Sequence, residues 1–448
     1  MTPLPDLCNI AASGAWFMPP TIVALRFEGA PRTAPGEGVT LKRDIMTKTH
    51  SLLGLAVGAM VLGLAVPALA EDVKVGILGD LTGPIESLAP PIVAGAQLAF
   101  DEVNAQGGIL GGGKLISVTG DSACDPSVAG PAADKLVNTD QVTAIVGAFC
   151  TGATIGAATA AGIPGGVVQI SPSASAPALT TLDDKDLVFR TTPSDAFQGV
   201  KMAELVLSKG IKDVAVTYVN NDYGKGLADV FVKTFTDGGG TVSANVAHED
   251  GKADYRAELG QLSSGGATDL VILAYASGSG KTILQQAIEA GEFTAFVGGD
   301  GMIGDDLVTG LPPDAVNGKV IATRAGAYAG ESADIYKKLS TDAGQDPAAT
   351  YAPQAYDAAF LLALAIEKNG SASREGLSQA LRDVATAPGE KILPGEWSKA
   401  VELIKAGTDI DYDGAGGPAE FDAAGDVDGI IVEVDVVDGK FVEKGPIQ

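Results

Sequence analysis

The chain is poor in the residue types that most often carry catalysis, metal binding and nucleic-acid recognition. Its 448 residues include two histidines and three cysteines, and aromatic residues make up 5%. Lysine and arginine number 30 against 56 aspartates and glutamates, so the formal net charge is −26 at pH 7. Nucleic acids and anionic membranes need a basic protein surface, and this charge balance therefore argues against both as partners.

Sequence patterns of catalytic centres are also missing. The chain has no G-x-S-x-G motif and no spaced histidine and cysteine cluster of the kind that binds zinc. His248, in the segment AHEDG, is expected to lie in an exposed loop. We therefore expect a protein that binds a ligand without transforming it and needs no cofactor or metal. A hydrolase, which would need a nucleophile–base pair, is the alternative.

A short apolar run near the N-terminus predicts a secretory signal peptide at residues 46–70. Lys48 supplies a positive charge, residues 52–66 form the apolar stretch, and Ala68-Leu69-Ala70 is a small-residue cleavage site. The alternative, a membrane anchor, needs about 20 apolar residues, and this run is shorter. We therefore expect cleavage after Ala70 and a periplasmic protein that is not inserted in the membrane.

The mature chain alternates strands and helices in two successive series, and this alternation predicts parallel sheets covered on both faces. The predicted strands are continuous apolar runs such as VKVGIL and TAIVGAF, each followed by a helix of apolar periodicity. We expect an α/β architecture of two doubly wound parallel-sheet domains joined by a hinge. The last segment, IIVEVDVVDGKFVE, predicts an antiparallel hairpin that turns at Asp438-Gly439.

Domain boundaries follow from this alternation and from a length that exceeds one comfortable core. The helix in TYAPQAYDAAFLLALAIEKNG is interpreted as a return to the first domain. Residues 1–45 are interpreted as an upstream extension translated from a misassigned start. The predicted N-terminal lobe comprises residues 71–193 and 324–400, and the predicted C-terminal lobe comprises residues 194–323 and 401–448.

Two cysteines, Cys124 and Cys150, follow the predicted cleavage site, an even number in an oxidising compartment. We therefore expect a disulfide, which would stabilise the fold by about 3–4 kcal/mol on the loop-entropy model. Such a bridge would constrain the loop that leads to Thr151. Two unlinked buried thiols are the alternative.

Hydroxyl residues follow two successive predicted strands and indicate an anion site. Thr151 comes directly after Cys150, at the turn from a strand into a helix, and Ser173 and Ser175 follow the next strand. Free backbone N–H groups at a helix start, together with nearby hydroxyls, can receive a small carboxylate.

Tyr223, Tyr275 and Asp300 also lie just past predicted strand ends. Ligands of doubly wound sheets bind outside these ends, so we predict a site in the cleft between the domains. Glycines flank Asp300 and allow close backbone approach. We expect Asp300 to accept an ammonium group, and a turn-forming role is the alternative. Asp195 is either a ligand contact or the N-cap of the following helix.

Two further patterns approach known ligand-binding motifs. YASGSGKT, residues 275–282, has Tyr275 where a phosphate-binding loop needs glycine, so a flexible strand-to-helix turn is the better interpretation. The second segment has the residue types of the calcium-loop pattern at the required spacing, namely Asp409, Asp411, Asp413, Gly414 and Glu420. Glycines occupy the middle of that loop and no exit helix follows, so we expect an acidic surface loop. A calcium site there is the alternative.

Several segments, in this order, resemble the periplasmic substrate-binding proteins of branched-chain amino acid ABC transporters. They are VKVGILGDLTGP, AFDEVNAQGGILG, DSACDPS, GAFCTGA, ISPSASAPAL, FRTTPSDAFQG, NDYGKGLAD, FVGGDGM and YAPQAYDAA, and they extend over essentially the whole mature chain. The resemblance implies the type I periplasmic binding fold, in which two α/β domains joined by three crossovers close over an amino acid. It also implies a monomeric protein that delivers this amino acid to an inner-membrane ABC permease.

The resemblance implies individual roles as well. Thr151 and Ser175, with their backbone N–H groups, would bind the α-carboxylate. The carbonyl of Ser173 and the carboxylate of Asp300, helped by Asp195, would bind the ammonium group. The two mature cysteines match the family's disulfide.

The wall of the implied pocket departs from the family pattern. Tyr223 would close the cleft from the second domain, but Leu88 and Ala276 stand where aromatic residues are usual. Well-known members also have glutamate at the position of Asp300. These changes imply a wider or differently shaped side-chain pocket. Ligands such as an amide, a urea derivative or an aromatic acid, and a role as a sensor domain, stay open as alternatives.

Overall fold

The computed structural model describes residues 71–448. The predicted upstream extension (residues 1–45) and signal peptide (residues 46–70) lie outside the described residues. Between residues 71 and 448, every helix is too short or too polar to cross a lipid bilayer.

The first sheet has five parallel strands, and its winding direction changes at β1. The strands are β1 (Val73–Gly79), β2 (Leu115–Asp121), β3 (Ala144–Gly147), β4 (Val168–Ser171) and β5 (Val188–Arg190). They lie in the order β2-β1-β3-β4-β5. Since β1 has β2 on one side and β3 on the other, a crevice opens outside the carboxyl ends of β1 and β3.

Helices flank this first sheet. They are α1 (Ala89–Ala105), α2 (Pro126–Asp134), α3 (Thr151–Ala157) and α4 (Ile163–Gly165). A π-helical turn, Ala158–Gly162, joins α3 to α4, so one continuous helical segment begins at Thr151. The strand-to-helix turn predicted at Thr151 is therefore confirmed.

The chain then builds a second sheet. Its first strands are β6 (Asp213–Val219), β7 (Thr241–His248), β8 (Asp269–Leu273), β9 (Ala295–Gly298) and β10 (Val320–Ala325). The helices are α5 (Asp195–Ser208), α6 (Asp222–Asp237), α7 (Arg256–Ser263), α8 (Lys281–Ala290), α9 (Asp305–Val308) and α10 (Pro313–Val316). All five strands are parallel to their neighbours in this set, as predicted.

After β10 the chain returns to the first sheet. The elements are α11 (Glu331–Asp342), α12 (Ala352–Asn369), α13 (Leu377–Ala385), β11 (Glu390–Ile392), α14 (Trp397–Lys405) and β12 (Ile410–Tyr412). Helix α12 packs along α1 and is buried at every residue from Ala352 to Glu367. A helix that is apolar on most of its faces is expected to be buried in this way.

The chain ends in the predicted hairpin, which belongs to the second sheet. Strand β13 (Ile431–Val437) is antiparallel to β10, and β14 (Lys440–Pro446) is antiparallel to β13. The seven strands lie in the order β14-β13-β10-β9-β8-β6-β7. The two doubly wound sheets and the hairpin confirm the fold predicted from the sequence.

Three crossovers connect the sheets: between β5 and α5, between β10 and α11, and between β12 and β13. Because β12 pairs with β11, the third crossover lies after Tyr412. The predicted lobe boundary at residue 400 precedes it. Below, the first lobe is the sheet β1–β5 with α1–α4 and α11–α14, and the second lobe is the seven-stranded sheet with α5–α10.

The prediction for His248 is wrong. This residue is the last of β7 and is 2% exposed. Its Nδ1 contacts Thr217 Oγ1 at 2.8 Å and its Nε2 contacts Ser279 Oγ at 3.0 Å. The polar segment thus contains a buried side chain that contacts strand β6 and the turn after β8.

The two motif-like segments have structural roles. Tyr275 follows β8, and the π-helical turn Ala276–Gly280 leads directly into α8, which confirms a strand-to-helix turn. In the acidic loop, Asp409 pairs with Lys368 at 3.2 Å and Asp413 with Lys391 at 2.8 Å. Within residues 71–448, the carboxylates of this loop form no cluster with the spacing of metal ligands.

Candidate ligand-binding site

A cavity lined by residues of both lobes lies where the carboxyl ends of strands from both sheets meet. The cavity is lined by Ile85, Leu88, Ile92, Phe149, Cys150, Thr151, Ser173, Tyr223, Tyr275, Asp300, Gly301 and Tyr351. Six of the eight site residues predicted from the sequence are among them: Leu88, Thr151, Ser173, Tyr223, Tyr275 and Asp300.

Asp300 is the only charged side chain among the described residues that line this cavity. It begins a 3₁₀ turn directly after β9 and is 4% exposed. Its Oδ1 accepts hydrogen bonds from Gln198 Nε2 and the Tyr223 hydroxyl, both at 3.0 Å. Its Oδ2 accepts one from the Tyr351 hydroxyl at 2.7 Å. Three neutral donors therefore hold the carboxylate and leave Oδ2 with capacity for a further donor.

The glycines beside Asp300 are required by close packing. A Cβ atom on Gly299 would lie 2.9 Å from the Tyr223 hydroxyl, and one on Gly301 would lie 2.7 Å from the carbonyl oxygen of Ala274. Both distances are shorter than real Cβ contacts. The close backbone approach predicted from these glycines is therefore confirmed.

Burial determines the electrostatics of the cavity. Burial raises the pKa of Asp300, and the hydrogen bonds from Tyr351, Tyr223 and Gln198 partly offset that rise. Burial also raises the pKa of both tyrosines, so they stay protonated and donate. Among the described lining residues there is no lysine, arginine or histidine to neutralise Asp300. The cavity thus suits a ligand that itself carries a positive charge.

The first lobe contributes hydroxyl and backbone groups. Thr151 is the first residue of α3, and its Oγ1 accepts a hydrogen bond from the Ala176 N–H at 3.3 Å. The Ser173 hydroxyl donates to the carbonyl oxygen of Phe149 at 2.9 Å. The first N–H groups of a helix have no intrahelical acceptor, so the start of α3 offers donors to an anion.

Ser175 and Asp195 are not among the residues that line the cavity. The Ser175 hydroxyl donates to Asp195 Oδ2 at 3.0 Å. Asp195 is fully buried, and burial together with the neighbouring Asp300 raises its pKa well above the usual range. The N-cap interpretation of Asp195 is wrong, because Ser194 caps α5 by accepting from the Ala196 N–H at 3.2 Å.

A buried arginine holds the loop that carries Ser175. Arg190 is 1% exposed, and its Nη1 donates to the carbonyl oxygens of Ser175 (2.8 Å) and Ala176 (3.1 Å). Its Nε and Nη2 each reach the carboxylate of Asp426 at 2.7 Å. Asp426 lies in the third crossover, so this ion pair connects the crossover to the hydroxyl-bearing wall.

Cys124 and Cys150 form the predicted disulfide. Cys150 lines the cavity and immediately precedes Thr151. The bridge therefore fixes one edge of the cavity to the loop after β2.

Sequence reasoning missed two of the three donors to Asp300. Gln198 lies in the first turn of α5, and Tyr351 immediately precedes α12 with a left-handed φ of 64°. Most of the predicted site residues follow a strand in the sequence, and neither Gln198 nor Tyr351 does. A tyrosine before the helix-starting Ala352-Pro353 pair was the available signal for the second.

Apolar side chains complete the cavity. Ile85, Leu88 and Ile92 come from the segment that leads into α1 and from its first turn. Phe149 lines the cavity as well, and the Tyr275 ring stacks on Tyr223 with centroids 5.2 Å apart. The position of Leu88 in this wall agrees with its predicted location.

The two lobes touch beside the cavity. The hydroxyl oxygens of Ser87, in the first lobe, and Ser277, in the second, lie 2.7 Å apart. The N–H group of Ser277 donates to the carbonyl oxygen of Pro84 at 3.2 Å. The lobes are therefore closed over the cavity in this structure.

Comparisons with known proteins agree with this fold. The profile of the periplasmic binding protein family matches residues 72–424. The leucine-, isoleucine-, valine-, threonine- and alanine-binding protein of Pseudomonas aeruginosa is 33% identical over 340 residues, which cover 75% of this chain and 88% of that protein.

Solved structures share the fold. A leucine-binding protein from Thermotoga maritima superposes with a TM-score of 0.70 at 25% identity, covering 84% of this chain and 99% of that one. An ABC transporter solute-binding protein from R. palustris, in complex with benzoate, gives a TM-score of 0.67 at 19% identity and covers 84% and 96% of the two chains.

Proposed function

The chain belongs to the periplasmic binding protein family, and from this premise we propose that it captures an amino acid between its two lobes and delivers it to an ABC permease. The observation that carries the proposal is the buried carboxylate of Asp300 in a cavity whose described lining includes no cationic side chain. An ammonium group in a closed cleft has lost its water and needs a charged acceptor. Asp300 supplies that acceptor.

The same charge distribution favours an amino acid over an aromatic acid. A benzoate-like ligand would bring a second negative charge beside Asp300 and no positive charge to balance it. An α-amino acid brings both charges and can reach groups of both lobes. Its ammonium group binds Asp300 and the Ser173 carbonyl, and its carboxylate binds Thr151 and the N–H groups at the start of α3.

Ser175 and Asp195 support this site without lining it. The Ser175 hydroxyl donates a hydrogen bond to Asp195, and the nearby carboxylate of Asp300 contributes to the raised pKa of Asp195. Because burial and the charge of Asp300 raise the pKa of Asp195, Asp195 keeps its proton more readily, and the negative charge that faces the ammonium group is that of Asp300. We therefore retain both as residues of the site that act through their neighbours.

The apolar wall selects the ligand side chain. Ile85, Leu88 and Ile92 present aliphatic surface to the cavity, which suits a branched-chain or other apolar amino acid. The relative from Pseudomonas aeruginosa is named for leucine, isoleucine, valine, threonine and alanine, of which the first three are branched-chain amino acids.

The ligand stabilises the closed state because it touches both lobes. The contacts of Ser277 with Ser87 and Pro84 form together with that closure. The protein acts as a monomer without catalysing a reaction, in the periplasm, after removal of the signal peptide. A sensor domain that presents the same ligand to a receptor is the alternative role for the same site.

Calorimetric titration of the mature protein tests the proposal, after native mass spectrometry has identified any ligand retained through purification. We expect L-leucine to bind with a stoichiometry of one and benzoate to give no heat. Small-angle scattering should show a smaller radius of gyration with saturating L-leucine. Binding of benzoate in preference to all of the apolar amino acids would overturn the proposal.

A further inference from the structure

A further buried carboxylate, Asp80, lies directly behind the cavity wall. It follows β1 and is 0% exposed. Its Oδ2 accepts hydrogen bonds from the N–H groups of Phe149 (2.7 Å) and Cys150 (3.0 Å). Its Oδ1 accepts from the Cys124 N–H at 2.6 Å and from the hydroxyl of Ser122. Three of its four donors are backbone groups of the disulfide cysteines and of a residue next to one of them.

These contacts decide which backbone groups remain for a ligand. The N–H groups of Phe149 and Cys150 precede α3 and would otherwise be available at the cavity edge. Both are already engaged by Asp80. Thr151 is therefore the first residue along this edge whose N–H group is left to an incoming carboxylate.

We infer that Asp80 is a positioning residue: it orients the peptide groups of Phe149 and Cys150 so that Thr151 presents its N–H group and hydroxyl to the ligand carboxylate. This inference rests on the proposed function. Because Asp80 also holds the N–H group of Cys124, it fixes both ends of the disulfide relative to β1. The position of the carboxylate-binding edge therefore depends on Asp80 as well as on the disulfide.

Asp121 offers a matched control in the same region. Its carboxylate also accepts four hydrogen bonds, from the N–H groups of Leu81, Thr82 and Ala123 and from the Thr82 hydroxyl. None of these donor residues lines the cavity. Replacing Asp121 thus removes a comparable set of loop contacts without touching the Phe149–Thr151 edge.

The first experiment measures binding of L-leucine and of L-leucinamide, which lacks the carboxylate charge, to Asp80→Asn and Asp121→Asn. An asparagine at position 80 must point its Nδ2 group either at the N–H groups of Phe149 and Cys150 or at the Cys124 N–H group and the Ser122 hydroxyl, so at least one backbone donor loses its acceptor. We expect Asp80→Asn to weaken L-leucine binding by about tenfold or more and L-leucinamide binding by less than threefold. Asp121→Asn should leave both within about twofold.

A purely structural role for Asp80 would reduce both affinities by the same factor, and that result would overturn the inference. Peptide mapping under non-reducing conditions confirms that each variant keeps its disulfide. If the unmodified protein binds neither probe, the proposed function fails, and the ligand-free part of the second experiment still tests whether Asp80 holds the amides of Phe149 and Cys150.

The second experiment needs no variant and therefore holds even if Asp80→Asn does not fold. Amide hydrogen exchange is followed by NMR in the unmodified protein with and without L-leucine. We expect the amides of Phe149 and Cys150 to be protected already without ligand and the Thr151 amide to gain protection when L-leucine binds. Exchange of Phe149 and Cys150 that slows only with ligand would show that these groups bind the ligand and would refute the inference.

Discussion

The hydroxyl of Tyr351, in the first lobe, donates a 2.7 Å hydrogen bond to Oδ2 of Asp300, in the second lobe. This bond joins the two lobes inside the cavity in the closed structure. The ammonium acceptor that we assign to the second lobe is thus completed by a donor from the first. The carboxylate of Asp300 therefore takes part both in the contact between the lobes and in ligand binding.

Removing this hydroxyl tests the link. A hydrogen bond to a charged group contributes about 1.5–3 kcal/mol, so Tyr351→Phe should weaken L-leucine binding by about 10- to 150-fold in calorimetric titrations. Tyr275→Phe is the control, because Tyr275 lines the cavity but its hydroxyl contacts Asn221 instead of Asp300. That variant should bind within about threefold of the parent. Equal losses in both variants would contradict the role of Tyr351.

His248 gives the protein a predictable response to acid. Thr217 already donates its hydroxyl proton to the carbonyl of Val246, so His248 Nδ1 donates to Thr217 and Nε2 accepts from Ser279. Burial lowers the pKa of His248 to about 4, and nearby carboxylates only partly oppose this. The unfolded chain takes up this proton near pH 6.5, whereas the folded protein takes it up only near pH 4.

The contribution of His248 to stability is therefore fully present above about pH 6.5 and is lost as the pH falls towards 4. Urea denaturation of the parent and of His248→Gln at pH 7.5 and pH 5 measures it. The difference in unfolding free energy between the two proteins should shrink by about 2 kcal/mol at the lower pH. A difference that stays constant or grows would show that the folded protein protonates His248 normally.

The disulfide should contribute measurable stability. Its cysteines are 26 residues apart, and closing a loop of that length corresponds to about 3–4 kcal/mol on the loop-entropy model. Reduction should lower the unfolding free energy of the mature protein by that amount in denaturant titrations. The double variant Cys124→Ser/Cys150→Ser should be equally destabilised and indifferent to reductant. If reduction leaves the unfolding free energy of the parent unchanged, the bridge is absent or contributes no stability.

The mature N-terminus is expected at Glu71. Protein isolated from the native host should begin there, because Ala68-Leu69-Ala70 has the small residues that signal peptidase sites require. Deleting residues 1–45 should leave the amount of mature protein unchanged. N-terminal sequencing that finds any of those 45 residues would contradict both the start-site and the signal-peptide predictions.

The fold could be predicted because the sequence repeats one local pattern. Apolar strands and amphipathic helices alternate, and parallel sheets place strand ends on one edge, so Tyr223, Tyr275 and Asp300 could be identified as site residues from their positions after strands. The glycines around Asp300 also signalled close packing, which the contacts of Gly299 and Gly301 bear out.

The remaining features depend on contacts between distant segments. Gln198 and Tyr351 reach Asp300 from helix starts, 102 and 51 residues away along the chain. Asp80 holds Phe149 and Cys150 from the end of a neighbouring strand. His248 was expected to be exposed because its neighbours in the sequence are polar, but its contacts with Thr217 and Ser279 are set by the second sheet. Local polarity carries no information about such partners.

The ammonium–Asp300 pair is the central claim, and one calorimetric comparison tests it most directly. L-leucine and 4-methylpentanoate, which is leucine without the amino group, are titrated into the parent and into Asp300→Asn. Leaving a buried charge without its partner costs about 2–5 kcal/mol, so L-leucine should bind the variant about 30- to 5000-fold more weakly. The parent should prefer L-leucine strongly, and the variant should lose that preference. If Asp300→Asn binds L-leucine as tightly as the parent does, the ammonium does not pair with Asp300 and the account is wrong.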